Sequence, residues 1–536
     1  MLDLDRIAEA VRYEGRVSRR LFTAYAAALA GLPLLAGRTS AADKQVSFTK
    51  NPFTLGVASG DPAATSVALW TRLAPEPLEA DGGLSRDSIA VGWEVAADEG
   101  FKEIITFGSA NAAAKLGHSV HVVAEGLKPD HWYYYRFHAG DAVSPIGRTR
   151  TLPAPDSSPE KLRFAFASCQ HWEQGLFTAY EQMAKDDVDL VFHLGDYIYE
   201  YAGKDNPPDK TLYVRKHAGL EIKSLGDYRV RHAQYKTDDL LQKMHAACPW
   251  FVTWDDHEVD NNYANSISEE AKVTPAELLA RRTNAYQAYY EAMPLRPQSL
   301  PKGPDMLLYR KAAFGKLAEF FVLDERQYRT NQPNNDKPSV LNEAALNPEN
   351  TLLGATQREW LQQSLTASQG TWNILAQQVM MGLVSFVRQP GPELKHSMDQ
   401  WPGYAHERME LVKFLAERKI ANPVVLTGDI HSNWANELRV DDRKLDEPTV
   451  ATEFVATSIS SGGNGLADFK ELPEIMGNNP FVKFHNRERG YVRCTVTPKQ
   501  WTSDFVVVDE VMKPGGKSTT RASFVVEAGK AVVQRG

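Results

Sequence analysis

Five short, almost wholly apolar segments, each stopping at a cluster of reactive polar residues, constrain this chain more than any other feature. They are Phe164-Ala165-Phe166-Ala167, Leu190-Val191-Phe192-His193-Leu194, Trp250-Phe251-Val252-Thr253-Trp254, Phe320-Phe321-Val322-Leu323 and Pro423-Val424-Val425-Leu426-Thr427. A strand without polar alternation has no face to offer water, so it is buried on both sides, as in α/β sheets covered by helices. A helical pattern over 177–185 follows the first segment, and the strand-like Phe454 to Ser460 belongs to the same half. The five segments run into Ser168-Cys169-Gln170, Gly195-Asp196-Tyr197-Ile198-Tyr199, Asp255-Asp256-His257-Glu258, Asp324-Glu325-Arg326 and Gly428-Asp429-Ile430-His431. Open α/β sheets bind ligands beyond the carboxyl ends of their strands. Five strand ends delivering thiol, carboxylate, imidazole and guanidinium therefore predict one functional edge.

The preceding part of the chain reads differently. From about 48 to 152, short runs rich in β-branched and aromatic residues (Val67–Thr71, Ile89–Val95, His131–Phe137) are separated by Gly, Pro and Asp turns. That spacing predicts a small all-β sandwich of immunoglobulin or fibronectin type over 43–152. Pro153-Ala154-Pro155-Asp156-Ser157-Ser158-Pro159 is stiff and polar, the composition of a linker, and places the α/β half at 160–536 with a C-terminal extension. A length of 536 residues accommodates both. Residues 1–42 read as an export signal: Ser18-Arg19-Arg20-Leu21-Phe22, then an apolar run from Ala24 to Ala36 broken by Pro33, then Ser40-Ala41-Ala42. Paired arginines before a weakly hydrophobic segment resemble a twin-arginine signal, whose export machinery would deliver a folded, periplasmic or secreted protein. The bland alternative is an amphipathic helix. The run is too short to span a bilayer, so no stable membrane insertion is expected once the signal is removed.

The net charge of −8, with no clustered basic stretch, argues against a nucleic-acid-binding surface. It does not argue against phosphate substrates, because bound cations reverse the field of an acidic site and need carboxylates to hold them. Three cysteines, Cys169, Cys248 and Cys494, form no C-x-x-C pair and no even-numbered disulfide framework. Cys248 and Cys494 read as inert core residues. Cys169 stands at the functional edge.

The motifs there suit cations. In Gly195-Asp196-x-x-Tyr199 the glycine permits a sharp exit, the Asp196 carboxylate has two oxygens with which to bridge two ions, and the Tyr199 phenolate is a hard anionic donor matched to ferric iron. Asp255 with the amide oxygen of Asn262 is an all-oxygen pair suited to calcium, although Asp256 and Asn261 compete for those roles. Asp429 and His431, two apart on an extended exit, point to one side. Thiolate, phenolate, carboxylate and imidazole together make a ferric-iron set. Arg326 is a candidate for phosphate contact or for an ion pair with Asp324, and His257 for a proton donor.

These residues carry a resemblance. Phe53-x-Leu55-Gly56-Val57-Ala58-Ser59-Gly60-Asp61-Pro62, Phe166-Ala167-Ser168-Cys169-Gln170, His193-Leu194-Gly195-Asp196-Tyr197-Ile198-Tyr199-Glu200, Trp254-Asp255-Asp256-His257-Glu258 and Gly428-Asp429-Ile430-His431 resemble the signature blocks of PhoD-type alkaline phosphatases and phosphodiesterases. The resemblance implies an exported phosphomonoesterase and phosphodiesterase, with a metallophosphatase-like sandwich of two packed sheets flanked by helices. It also implies one Fe3+ and two Ca2+. Iron would be held by Cys169, Asp196, Tyr199 and His431, and calcium by Asp255, Asn262 and Asp429, with Asp196 bridging. The expected reaction is in-line attack on a phosphate ester by a metal-bound hydroxide or oxide, aided by Asp196, His257 and Arg326.

Three other readings compete. Purple acid phosphatases share Gly-Asp-x-x-Tyr but want Gly-Asn-His-Glu/Asp and Gly-His-x-His, where this chain substitutes oxygen donors that favour calcium over zinc or a second iron. A phospholipase D acting on phospholipid head groups on the same scaffold is the enzymatic alternative. A non-catalytic exported binding protein with structural metals would predict a site closed to solvent.

Overall fold

In the computed structural model, which describes residues 47–536 apart from 86, 206, 208 and 386–392, eight strands precede residue 151. They are β1 (Val57–Gly60), β2 (Ser66–Arg72), β3 (Ser88–Ala96), β4 (Ile104–Ala113), β5 (Ser119–Glu125), β6 (Trp132–Ala139), β7 (Ala142–Val143) and β8 (Gly147–Arg150). The predicted export signal lies outside the described residues.

Strands β3, β4, β6, β7 and β8 form an antiparallel sheet of their own. Strands β1, β2 and β5 form another antiparallel ladder, and β1 meets the rest of the chain through the pair Gly60↔Trp250. The linker is not a free spacer. Ser157 accepts a backbone hydrogen bond from Lys316 at 2.8 Å.

The remaining strands are β9 (Leu162–Ala167), β10 (Leu190–Leu194), β11 (Trp250–Thr253), β12 (Arg310–Phe314), β13 (Ala318–Val322), β14 (Trp372–Ala376), β15 (Pro423–Thr427), β16 (Asn433–Leu438), β17 (Ala451–Val455), β18 (Gly465–Leu466), β19 (Val482–Val496), β20 (Gln500–Val508), β21 (Ser518–Glu527) and β22 (Gln534–Arg535). They build two sheets. In the first, β11, β10 and β9 run parallel and continue antiparallel into β19, β20, β21 and β22. In the second, β13, β14, β15 and β17 run parallel, edged by antiparallel β12 on one side and β16 on the other. The long β19 serves both, pairing β16 with its first half and β9 with its second.

Alternation along each strand explains why the segments read as continuously apolar. Phe164, Phe166, Phe192, Phe251, Phe320, Ile374 and Leu426 point between the sheets into one core. Their neighbours Ala165, Val191, Trp250 and Val252 point the other way. They meet the helices α1 (Thr178–Met183), α2 (Leu225–Lys236), α3 (Asp239–Ala247) and α4 (Pro275–Ala292). Phe321, Leu375 and Val425 likewise face α5 (Gly354–Ala367) and α6 (Ala405–Glu417) on the far side of the second sheet. A final short helix, α7, spans Leu472–Asn478. Inside, Phe164 meets the edges of Phe192 and Phe320 at centroid distances of 5.6 and 5.7 Å. Each such ring contributes about 1.5–3 kcal/mol by leaving water. The chain is thus an α/β protein in which all the predicted apolar strands form. The helix expected over 177–185 is shorter, because Ala184–Asp186 tighten into a 3-10 turn.

One buried cation gives a pH signature. Lys236, on α2, is 2 % exposed, with Nζ 4.3 Å from the centre of the Trp70 ring, and burial pushes its pKa down to about 7. Between that value and about 10.4, its ordinary one, the unfolded chain holds more protons than the folded chain, so stability rises with pH. The slope is at most about 1.4 kcal/mol per pH unit. Lys236→Met is expected to raise stability at pH 7 and to flatten the rise toward pH 9.5, as read by urea denaturation at both values.

Candidate metal centre

The strand ends deliver their side chains through an unusual backbone. Cys169, Asp196, Asn262, Asp429 and His431 all have φ between 48° and 63°, the left-handed region that L-residues seldom enter. Strain of this kind clusters at functional sites. The geometry depends on Gly195, at φ 108°, where a Cβ would lie 2.4 Å from the Cβ of Asp255. At Gly428 a Cβ would lie 2.6 Å from Ser168 Oγ. Only glycine lets these strand ends approach so closely, between neighbouring strands of the first sheet at Gly195 and between the two sheets at Gly428.

Donor atoms of Cys169, Asp196 and His431 lie within 4.8 Å of one another, and so do those of Asp196, Asp256 and His257. Asp196 is common to both groups. The Tyr199 hydroxyl donates to Asp196 Oδ2 at 2.9 Å and lies 3.1 Å from His431 Nε2 and 2.8 Å from Ser461 Oγ. Its ring is flanked by His171 and His257, at centroid distances of 4.4 and 4.2 Å. Cys169 Sγ is 3.0 Å from Ser168 Oγ and 3.7 Å from the Asp429 carbonyl.

Asp255 and Asp256 have separate duties. Asp255 Oδ1 accepts from Arg326 Nε, while Asp256 Oδ2 accepts from the backbone N–H of Asn262 at 2.7 Å. The Asn262 side-chain NH2 donates to Asp336 Oδ2 at 2.7 Å, and Asp429 Oδ2 accepts from Gln400 Nε2 at 2.9 Å. Arg326 is fully buried. Nη1 donates to Asp399 at 2.8 Å, and Nη2 lies 3.7 Å from Asp256 and 3.9 Å from Asp429. Its ion-pair partners are therefore Asp255 and Asp399, with Asp256 and Asp429 at longer range, rather than Asp324, whose carboxylate instead takes the backbone N–H groups of Arg326 and Gln327.

Burial pushes the carboxyls of Asp196, Asp255 and Asp429 well up, and neighbouring carboxylates add to the rise. At Asp256 burial is overcome by Arg326 and His257, which hold the group well down. At His257 burial is overcome by Glu200, Asp256 and Asp196, so the imidazole is held protonated, with Nδ1 donating to Glu200 Oε2 at 2.8 Å. Burial also raises the Cys169 thiol and the Tyr199 phenol. Two carboxylate oxygens, Asp196 Oδ1 and Asp255 Oδ2, are buried without any hydrogen-bond partner. Orphaned carboxylate oxygens are costly unless a cation satisfies them. The donor set fits bound metal, which would also deprotonate the thiol and phenol.

All seven sequence-predicted ligands lie at this edge, with Asn262 joined through Asp256. Sequence reasoning missed the residues that hold them. Glu258 accepts the N–H groups of Asp196, Tyr197 and Asp255. Glu200 orients His257, Asp399 gathers Arg326 and Arg329, and Ser461 reaches Tyr199. Glu200 and Glu258 stand inside recognisable motifs. Asp399 and Ser461 sit in loops that carry no signal.

Fold and donors define a class: a two-sheet α/β protein whose shared strand edge gathers metal-donor side chains and opens to solvent at His431, 38 % exposed. The family described as PhoD-like phosphatase matches residues 164–505, and PhoD-like phosphatase, N-terminal domain, matches 38–153. Alkaline phosphatase D of Bacillus subtilis (strain 168) is 50 % identical over 514 residues, 95 % of this chain and 87 % of that protein. A solved structure of PhoD superposes with a TM-score of 0.89 at 50 % identity, covering 91 % of this chain and 93 % of that one. This chain belongs to the PhoD-like phosphatase family. Among the described residues, no helix is long and apolar enough to cross a membrane.

Proposed function

We propose that this protein hydrolyses phosphate monoesters and diesters at the strand-edge cluster, using one ferric iron and two calcium ions. The observation that carries the reading is the pair of buried, unpartnered oxygens on Asp196 and Asp255 amid converging donors. Cys169, Asp196, Tyr199 and His431 would hold iron. Asp429, Asn262 and either Asp255 or Asp256 would hold calcium, with Asp196 shared. When bound, the cations neutralise the non-bridging phosphate oxygens and activate the attacking water.

The chain's own residues do the rest. Arg326 fixes Asp255 between the sheets and balances charge there, but it is too deeply buried to reach the ester itself. His257, held protonated by Glu200, keeps a proton for the departing ester oxygen. Glu258 locks the backbone of the two aspartate turns, so the carboxylates need no reorganisation during reaction.

The division into a β domain at 43–152 and a catalytic domain at 160–536 is supported by the two family matches, which flank the proline-rich linker. Twin-arginine export to the periplasm or beyond rests on residues 1–42 alone.

The test is turnover of p-nitrophenyl phosphate and its bis-ester by the purified protein, with elemental analysis and a visible spectrum. Chelation is expected to cut the rate by at least about 100-fold, with calcium plus iron restoring it. Iron-replete protein should be coloured by phenolate-to-iron charge transfer. Undiminished turnover after complete metal removal would end this reading.

A further inference from the structure

The region behind His431 holds a feature that the hydrolytic chemistry does not use. A cavity of about 430 Å³ is lined by Leu212, Leu466, Met512, Arg487 and Arg489, with Gly462 and Gly465 among its walls. It adjoins the donor cluster through two links. Arg489 Nη1 donates to the His431 carbonyl at 2.7 Å, and Gly462 directly follows Ser461, whose hydroxyl lies 2.8 Å from that of Tyr199.

Arg489 is buried, and its Nε has no hydrogen-bond partner. The neighbouring acid, Glu488, is taken up by Arg521 through two contacts of 2.6 Å. Among the described residues no carboxylate pairs with Arg489. The wall beside this guanidinium is made of glycine where a side chain would cover it. A Cβ at Gly465 would stand 2.0 Å from the Arg487 carbonyl oxygen of the paired strand and 2.7 and 2.9 Å from Arg489 Nη2 and Nε, and one at Gly462 would stand 3.7 Å from Nη2. Both glycines have positive φ, at 87° and 71° in chain order. Leu212, Leu466 and Met512 supply the apolar part of the lining.

A buried cation with an unused donor, set in an apolar cup beside a phosphoester site, calls for an anion carried on an apolar frame. We propose that this cavity is a specificity subsite for the organic substituent of the phosphoester. Its preferred occupant is a group with both apolar surface and a second negative charge. The inference rests on the phosphoesterase reading and deepens it. Arg489 would receive the charge, and Leu212, Leu466 and Met512 would cover the carbon frame. An ester with a small neutral substituent would leave the Arg489 Nε without an acceptor and so gain less from binding.

The test compares kcat/KM for phenyl phosphate and 4-carboxyphenyl phosphate on the metal-loaded full chain, in the unaltered protein and in Leu466→Glu and Leu466→Lys. Leu466 is 58 % exposed, so both variants are expected to fold. Intrinsic leaving-group differences cancel when the ratio of the two esters is compared between variants. The carboxyphenyl-to-phenyl ratio is expected to fall about 5- to 10-fold in Leu466→Glu and to rise in Leu466→Lys, with both shifts shrinking at high salt. A purely structural role for Leu466 would move the ratio the same way in both variants. That result, or a ratio within twofold of the unaltered protein in both, overturns the subsite. If the unaltered metal-loaded protein cleaves neither ester, the phosphoesterase reading fails, and the subsite with it.

Discussion

An Asp196→Asn protein is expected to lose at least about 10³-fold in kcat/KM on p-nitrophenyl phosphate while remaining folded. Asparagine keeps the shape and, like aspartate, tolerates the left-handed conformation found at this position, φ 55°. The change is therefore chemical. Oδ1 is buried without a hydrogen-bond partner, and a neutral amide would be a far weaker donor to a cation held there. The metal-free variant is expected to be at least as stable as the metal-free parent. It removes one of several mutually repelling carboxyls, those of Asp196, Asp256, Glu258 and Asp429. Metal content, activity and the thermal midpoint of the stripped protein read these effects separately. Activity within tenfold of the parent would show that Asp196 is not shared between cations.

The second large effect is on stability. Arg326→Leu is expected to cost about 3–5 kcal/mol, because it strands a buried anion. Asp256, the carboxylate that Arg326 and His257 hold well down, would lose one of its two cations, and Asp255 would lose its hydrogen bond from Nε. Asp399 would keep Arg329, whose Nη1 lies 2.7 Å from Oδ1, so the greater part of the loss belongs to Asp255 and Asp256. Arg326→Lys should cost less but still be felt. A compact ammonium cannot span Asp255 and Asp399 as the planar guanidinium does. Urea denaturation of the three metal-free proteins measures the series. A loss under about 1 kcal/mol for Arg326→Leu would place this arginine among marginal surface-type pairs.

Much of the architecture was legible because it is local. The segments that became β9, β10, β11, β13 and β15 announce themselves by apolar content, and the turns after them by residues that have no reason to follow a buried strand. The C-terminal strands were harder to read. In β21 the first four residues are exposed and only alternate positions inside the rest are buried, so its hydrophobic signal is diluted. The all-β segment was visible as strands. Whether its strands pair among themselves or with the α/β half was not, since β1 joins β11 through the single pair Gly60↔Trp250.

The candidate site divides in the same way. Cys169, Asp196, Tyr199, Asp429 and His431 could be named from strand-end motifs, because donor type and two- or three-residue spacing are local chemistry. The choice between Asp255 and Asp256 could not be made. It turns on which carboxylate meets Arg326 Nε and which meets the Asn262 N–H, contacts made across 71 and 6 residues of chain. Asp399, Ser461 and Arg489 stayed invisible, since a polar residue in a loop becomes part of a site only through what packs against it.

By itself, then, the order of residues determined the α/β class, the carboxyl-end location of the chemistry and the kinds of atom gathered there. Those follow from side-chain hydrophobicity, strand periodicity and donor chemistry over a few neighbours. Only the tertiary structure decided which oxygens are left without partners and which arginine neutralises which acid. It also decided that an apolar cup lined by two guanidiniums lies behind His431. These depend on distances between segments hundreds of residues apart, and electrostatic and desolvation energies are set by such distances rather than by sequence spacing.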